Sequence, residues 1–408
     1  MKKITTLLDR TSQDPLIFPL HLPSFLTSFS QGLLIPVLPL YANSFGISYG
    51  LIGIILAGEA LGMVLGDLPA GLLSQRWGPR RIHVLGLGGA ALGTLGLIWA
   101  ATVPQVILLR IFGGMGIALF QVSRHTFIAD AIPNSRRGKP TALLVGLMRT
   151  GLLIGPAVGG LVASRVSLRL PFFICSLAIL LALLCVARYL PADLAKVRNP
   201  PLTLAALRKH YREVLSENGR PLATAGVARV FALMVRSGRR IVIPLYAADV
   251  LGLDVGTIGL LVSLSMAVEV PLFYPAGWIL DRLGRKYAIV PSYLIFGIGM
   301  ALVPLTNSFL GLLIVSLFMG IGSGLSAGSL ISLGADLAPA NAPGTFLSIW
   351  WFIGDMGSAG GPLLVGAVAD LFVLQSASLL MGGAGLLTAG LFFLLVPETL
   401  KKLQSATD

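Results

Sequence analysis

"GLLSQRWGPRR" occupies residues 71–81, and "GWILDRLGRKY" occupies residues 277–287. Gly71 corresponds to Gly277, Gln75 to Asp281, Arg76 to Arg282, Gly78 to Gly284 and Arg80 to Lys286, always 206 positions apart. Both stretches concentrate cations in a chain that is 55% hydrophobic and only 12% charged, and both close a long apolar run. The same polar hairpin, met twice at one offset, points to a duplicated unit.

Working outward, the apolar runs set the class. Mean hydropathy is +0.87, and 49 glycines suit helices packed closely in lipid. Most runs are long enough to cross a hydrocarbon core of roughly 30 Å at about 1.5 Å per residue. The alternating polarity of barrel strands is absent. The fold class is therefore an all-α membrane protein, and twelve spans are expected. They lie near 17–42, 49–74, 82–101, 104–130, 141–164, 170–190, 221–248, 255–280, 287–306, 309–336, 344–369 and 373–396. The first span is long and no small-residue cleavage site follows it, so it reads as retained rather than as a signal peptide.

The duplication extends past the hairpins. "LPLYANSFG" (38–46) is echoed by "IPLYAADVLG" (243–252), and "IADAIPN" (128–134) by "LGADLAPAN" (333–341), which sets Asp130 opposite Asp336. "RTGLLIGP" (149–156) answers "DMGSAGGP" (355–362), setting Arg149 opposite Asp355. Two six-helix halves follow, 1–190 and 221–408, in parallel orientation with a substrate site between them. Residues 191–220 link them. Leu204, Leu207, Tyr211, Val214 and Leu215 would share one face of a helix there, suiting either a surface-lying amphipathic helix or a solvated linker.

Charge gives orientation. With both termini inside, 20 of the 30 lysines and arginines fall in inner loops and termini, and two, Arg165 and Arg169, in outer loops. That asymmetry marks the cytoplasmic side. The formal net charge of +13 punctuates apolar runs instead of forming a basic domain, so nucleic acid is not the expected partner. Cys175 and Cys185 share one span, cannot bridge each other, and read as buried packing residues.

These residues resemble the major facilitator superfamily over nearly the whole chain. The hairpin resembles its signature loop, with Gln75 where aspartate is usual. "RIFGGMGIA" (110–118) resembles its span 4 signature, with Gly113 where glutamine is usual. "GLLIGPAVGG" (151–160) resembles the span 5 antiporter motif, and "GLLIPVLP" (32–39) the span 1 motif of the twelve-span drug–proton antiporters. The resemblance implies a conformational latch at the hairpins. Its residues would be Asp67, Gly71, Arg76, Gly78, Arg80 and Asp130 in one half, and Asp281, Arg282, Gly284, Lys286 and Asp336 in the other. The same cations would also serve as topology anchors. In the antiporter motif, Gly151, Gly155 and Gly159 make a smooth stripe, joined by Gly160, and Pro156 permits a bend. The resemblance ties this stripe to sealing the cavity; ordinary helix packing would use it equally.

Charges inside spans are expensive and point to function. Glu269, Glu59 and Asp355 are the proton-coupling candidates. Arg149 and Glu269 both sit about 12 Å from the inner face by helix rise, so a pair across the halves is expected; a static salt bridge is the alternative. Arg236 and Arg240 share a helix face. With Gln31, Arg110 and Arg149 they are candidates for a substrate cavity, where they would favour an anionic or zwitterionic substrate. Pairing with acids or lipid phosphates would occupy Arg236 and Arg240 instead. His21 is a further titratable group, with packing as its simpler role.

"GLSAG" (324–328) fits a hydrolase nucleophile pattern but falls inside span 10, and no ATP-binding loop or metal motif is present. The expectation is not an enzyme but a monomeric secondary transporter of the inner membrane, with no cofactor and a proton as coupling ion. It would export amphipathic small molecules or drugs by antiport. Transport of organic anions or lipid-like molecules is the alternative.

Overall fold

The computed structural model describes residues 16–131, 138–190, 219–326, 328–339 and 343–400. All regular elements among them are helical. A π turn at Ile17–His21 leads into α1 (Leu22–Asn43), followed by α2 (Tyr49–Trp77), α3 (Pro79–Gly96), α4 (Val103–Ala131), α5 (Gly138–Arg165) and α6 (Leu170–Tyr189). The second half holds α7 (Gly219–Leu245), α8 (Val255–Ala267), α9 (Phe273–Arg282), α10 (Arg285–Leu302), α11 (Phe309–Leu325), α12 (Ser329–Leu337), α13 (Pro343–Leu371) and α14 (Leu374–Leu395). Helix is the only economical choice for these segments, because in lipid every backbone N–H must find a carbonyl within its own element.

Twelve rods result, as the sequence predicts, but two are broken. The expected span 255–280 divides into α8 and α9 around Val268–Leu272, where Pro271 has no N–H to donate. The expected span 309–336 divides into α11 and α12, and Gly328 takes φ of 77° at the break. Neither break is matched in the first half, where α2 and α4 run unbroken for 29 residues each. Among the described residues nine helices are long and apolar enough to cross a membrane. The other rods fall short for visible reasons: α3 opens on Pro79-Arg80-Arg81, α7 carries four arginines in its interior, and α8 has 13 residues.

The duplication is written in the backbone. Gly78 and Gly284 both have positive φ, 81° and 120°, at the two basic hairpins. Gly46 and Gly252, at the opposite hairpins, have 65° and 64°. Both pairs keep the 206-residue offset, and a side chain would be strained at each.

Two compact units emerge from the packing. One contains residues 1–34 and 62–200, the other 35–61 and 201–408. The first is built on α3, α4 and α6, with Leu87, Ala90, Phe120, Ile179 and Val186 in one buried cluster. Its α5 lies directly on α1: a Cβ at Gly155 would stand 2.6 Å from the Leu33 nitrogen, and one at Gly151 2.8 Å from the Phe25 oxygen. The second unit repeats that contact between α13 and α7. A Cβ at Gly357 would stand 2.9 Å from Val230 Cα, and Gly361 abuts Met234 and Gly238. Residues 35–61 join the second unit because the start of α2 packs on α13. Gly50 N donates to Asp370 Oδ2 at 2.9 Å, and a Cβ at Gly366 would stand 3.0 Å from Gly50 Cα.

Candidate functional site

The second unit holds the three acids and the α7 arginines that the sequence leaves inside spans, whereas Arg110 and Arg149 belong to the first. Helix α7 carries Arg229, Arg236, Arg239 and Arg240, spaced so that all project from one face over about 16 Å. Arg239 Nη1 lies 3.5 Å from Glu269 Oε1, both side chains being largely buried, and Arg239 also donates to the Ser265 hydroxyl. Arg240 lies in electrostatic range of Glu59 and Glu269. Arg229 lies in range of Asp355 and is stacked against Trp350 and Trp351, at 4.7 and 5.1 Å. Each of the three candidate carboxylates therefore stands against an arginine of a single helix.

The broken rods meet this cluster. Glu269 sits inside the α8–α9 break. Arg236 donates to the Ser326 hydroxyl at the α11–α12 break, and its guanidinium faces the rings of Tyr293 and Phe296 at 5.9 and 6.0 Å. A Cβ at Gly324 would stand 2.8 Å from Leu272 Cβ, so the end of α11 touches the α8–α9 break. Ser326 of "GLSAG" thus stands at the end of a helix and not at a strand-to-helix elbow, and donates its hydroxyl to Gly322 O or Ser323 O. Within the second unit Glu269 pairs with Arg239; Arg149, named from sequence as a partner across the halves, belongs to the first unit.

At the basic hairpin of the second unit a second network forms. Arg285 Nε lies 2.7 Å from Asp336 Oδ2 and its Nη2 3.3 Å from Oδ1, a two-pronged pair; its Nη1 donates to Leu280 O. The Thr399 hydroxyl donates to the same Asp336 oxygen at 2.7 Å. Glu398 accepts from the backbone N–H groups of Arg285 and Lys286, at 3.0 Å each, where the positive end of α10 favours an anion. Partial burial pulls the Glu398 carboxyl upward, but these N–H donors and that of Leu400 win and hold it below the ordinary glutamate range. Lys286 Nζ donates to Phe393 O, and Arg80 donates to Ala187 O, the same contact at the 206-residue offset. Asp281, Arg282 and Arg76 are exposed, and Gly71 and Gly277 have open space where a side chain would stand. Asp336, a residue of the expected latch, thus meets Arg285 and Thr399, with Glu398 on the backbone beside them, and the sequence motifs name none of these three. Asp67 lies partly buried on α2, whereas the Asp130 and Gln75 side chains and the 191–218 part of the linker lie outside the described residues.

The remaining candidates take these places. Gly159 and Gly160 are buried, and Pro156 lies within α5 among them. Arg110 is buried on α4, while Gln31 and Arg149 are partly buried on α1 and α5. His21 is buried with Nε2 3.2 Å from Pro140 O, which fits a packing role. Both cysteines are free and buried, and the Cys175 thiol donates to Ser30 O. At the opposite end of the second unit, Asp249 accepts from Asn43 Nδ2 and the Tyr49 hydroxyl, at 2.9 Å each. No grouping of three or more metal-ligating side chains occurs among the described residues.

A duplicated bundle of helices long and apolar enough to cross a membrane, with buried charge in its interior, defines a secondary membrane transporter. The Major Facilitator Superfamily model matches residues 20–235 and 225–408, and the chain belongs to that superfamily. It is 23% identical over 355 residues to an uncharacterised transporter of the same superfamily from Methanocaldococcus jannaschii, covering 87% of this chain and 91% of that one. Multidrug resistance protein 2 of Bacillus subtilis is 25% identical over 353 residues, covering 85% and 87%. The quinolone resistance protein NorA of Staphylococcus aureus is 29% identical over 157 residues, covering 38% and 40%. Among solved structures, the nucleoside transporter NupG shares the fold with a TM-score of 0.77 at 13% identity, covering 94% of this chain and all of that one.

Proposed function

We propose that the protein is a proton-coupled exporter of amphipathic small molecules, working by alternating access in the cytoplasmic membrane with both termini inside, and functional as a monomer. The observation that carries this reading is the matching of Glu269, Glu59 and Asp355 to arginines of one helix. A carboxylate released from its guanidinium has one ready replacement partner, a proton. An ion pair that opens and closes during the transport cycle therefore takes up and releases protons. The position of Glu269 in a helix break, outside the regular hydrogen-bonding of α8 and α9, supports this role. Similarity to two drug-resistance proteins supports amphipathic cargo.

A second reading is favoured by the same cluster: its four guanidiniums face three carboxylates, which suits an anionic or lipid-like cargo. The test uses proteoliposomes with an imposed pH gradient, measuring a lipophilic fluorescent cation and a lipophilic anion in turn. Proton-driven movement of the cation in the wild type, reduced at least tenfold in Glu269→Gln, is the expected result. Unchanged coupling in that variant would remove Glu269 from the mechanism. Movement of the anion alone would select the second reading.

A further inference from the structure

We propose that the arginine face of α7 is a built anion site inside the second unit, taking the phosphate or carboxylate head of a single-tailed amphiphile. The proposal deepens the second reading above and rests on it only in treating the occupant as cargo.

The four guanidiniums are not equivalent. Arg239 is committed to Glu269 and Ser265, and Arg229 is clamped by two tryptophans with Asp355 in range. Arg236 differs from both. It donates to a neutral hydroxyl, Ser326, with the Tyr293 oxygen also in reach, and its Nε has no hydrogen-bond partner among the described residues. One turn further on, Arg240 is exposed. The Tyr293 side chain is fully buried beside Arg236, close enough to feel its charge, yet its hydroxyl makes no hydrogen bond of good geometry among the described residues.

These observations converge. Arg236 Nε and the Tyr293 hydroxyl are both hydrogen-bond donors left without an acceptor, and buried donors are almost always satisfied. Arg236 and Arg240 also add like charge, with one carboxylate fewer than guanidiniums in the cluster. What such a set lacks is a charged acceptor with several oxygens, and a planar guanidinium matches phosphate or carboxylate geometry. The rings of Tyr293 and Phe296 beside Arg236 offer apolar contact to the first carbons of a tail. A cationic amphiphile would meet repulsion from the same groups.

The test titrates the purified full-length protein, in neutral maltoside detergent, with decyl phosphate, decyltrimethylammonium or inorganic phosphate. Thermal unfolding and tryptophan fluorescence are the readouts, Trp350 and Trp351 lying beside Arg229. Decyl phosphate is expected to raise the unfolding temperature saturably, and decyltrimethylammonium is not. Arg236→Gln and Arg240→Gln should each weaken the midpoint at least tenfold, Tyr293→Phe several-fold, and Arg165→Gln, which removes a charge elsewhere, not at all. Competition by inorganic phosphate would mark the occupant as a soluble anion. Competition by phosphatidylglycerol nanodiscs would mark it as a lipid head; either outcome upholds the site. Equal midpoints in wild type, Arg240→Gln and Tyr293→Phe would overturn it, as would an equal response to the alkyl ammonium, even if Arg236→Gln failed to fold. No pH gradient enters the measurement, so a failed titration leaves proton-coupled export standing. Unchanged coupling in Glu269→Gln with binding intact would do the reverse.

Discussion

At Gly284 two separate constraints meet. Its φ of 120° lies in a region that only glycine occupies readily, and a Cβ there would stand 2.5 Å from the Glu398 carboxyl carbon. Gly284→Ala should therefore lose about 1–3 kcal/mol from backbone strain alone, seen as a lower unfolding temperature. Gly277→Ala, seven residues earlier in the same motif, meets nothing within 4 Å and should leave that temperature unchanged. Glu398 makes a pH prediction. Its carboxyl is held below its unfolded value, so its contribution is full above the ordinary glutamate pKa of about 4.3 and is lost as pH falls through and below it. The stability gap between wild type and Glu398→Gln should be widest at neutral pH and close below about pH 4. How much of this is legible in sequence depends on the repeat. Asp336 and Lys286 stand out because Asp130 and Arg80 answer them. Arg285 and Glu398 face Pro79 and Ala192 at the same offset, so the comparison of halves hides them.

Among the helices, the glycine stripe of α5 is legible and its partner is not. Spacing by four shows a smooth face, but only packing shows that Leu33, Gly32 and Phe29 of α1 fill it. Gly155→Ala sets a methyl group against backbone atoms that cannot yield, and should cost about 1–3 kcal/mol. Gly146→Ala on the same helix has open space and should be silent in the same thermal-unfolding assay. The helix breaks are the reverse case. Runs 255–280 and 309–336 stay apolar on average across their breaks, despite Glu269 and Ser326, so hydropathy averaged over a span carries no signal there. Pro271 and Gly328 are the only local cues, and glycine and proline occur in many unbroken spans of this chain, as at Pro69, Pro156 and Pro362. What distinguishes the breaks is the polar traffic they receive, from Arg236 to Ser326 and from Arg239 to Glu269.

For the whole molecule, duplication and charge asymmetry carry the account. Glycines of positive φ recur at one offset, and so does the cation gripping the last helix of each half, Arg80 on Ala187 O and Lys286 on Phe393 O. The fold was readable because lipid admits few backbone solutions, and the basic loops predict a sidedness. Arg236, Arg240 and the three acids were readable one by one, since buried charge is conspicuous, but their pairing was not, because the acids come from α2, the α8–α9 break and α13. The parallel duplication requires both basic hairpins to face the same compartment. Single cysteines placed at the exposed positions 76 and 282, in a background with Cys175 and Cys185 changed to serine, test this with a membrane-impermeant maleimide. Both should label in inside-out vesicles and neither in right-side-out vesicles; labelling of the two from opposite sides would contradict the account.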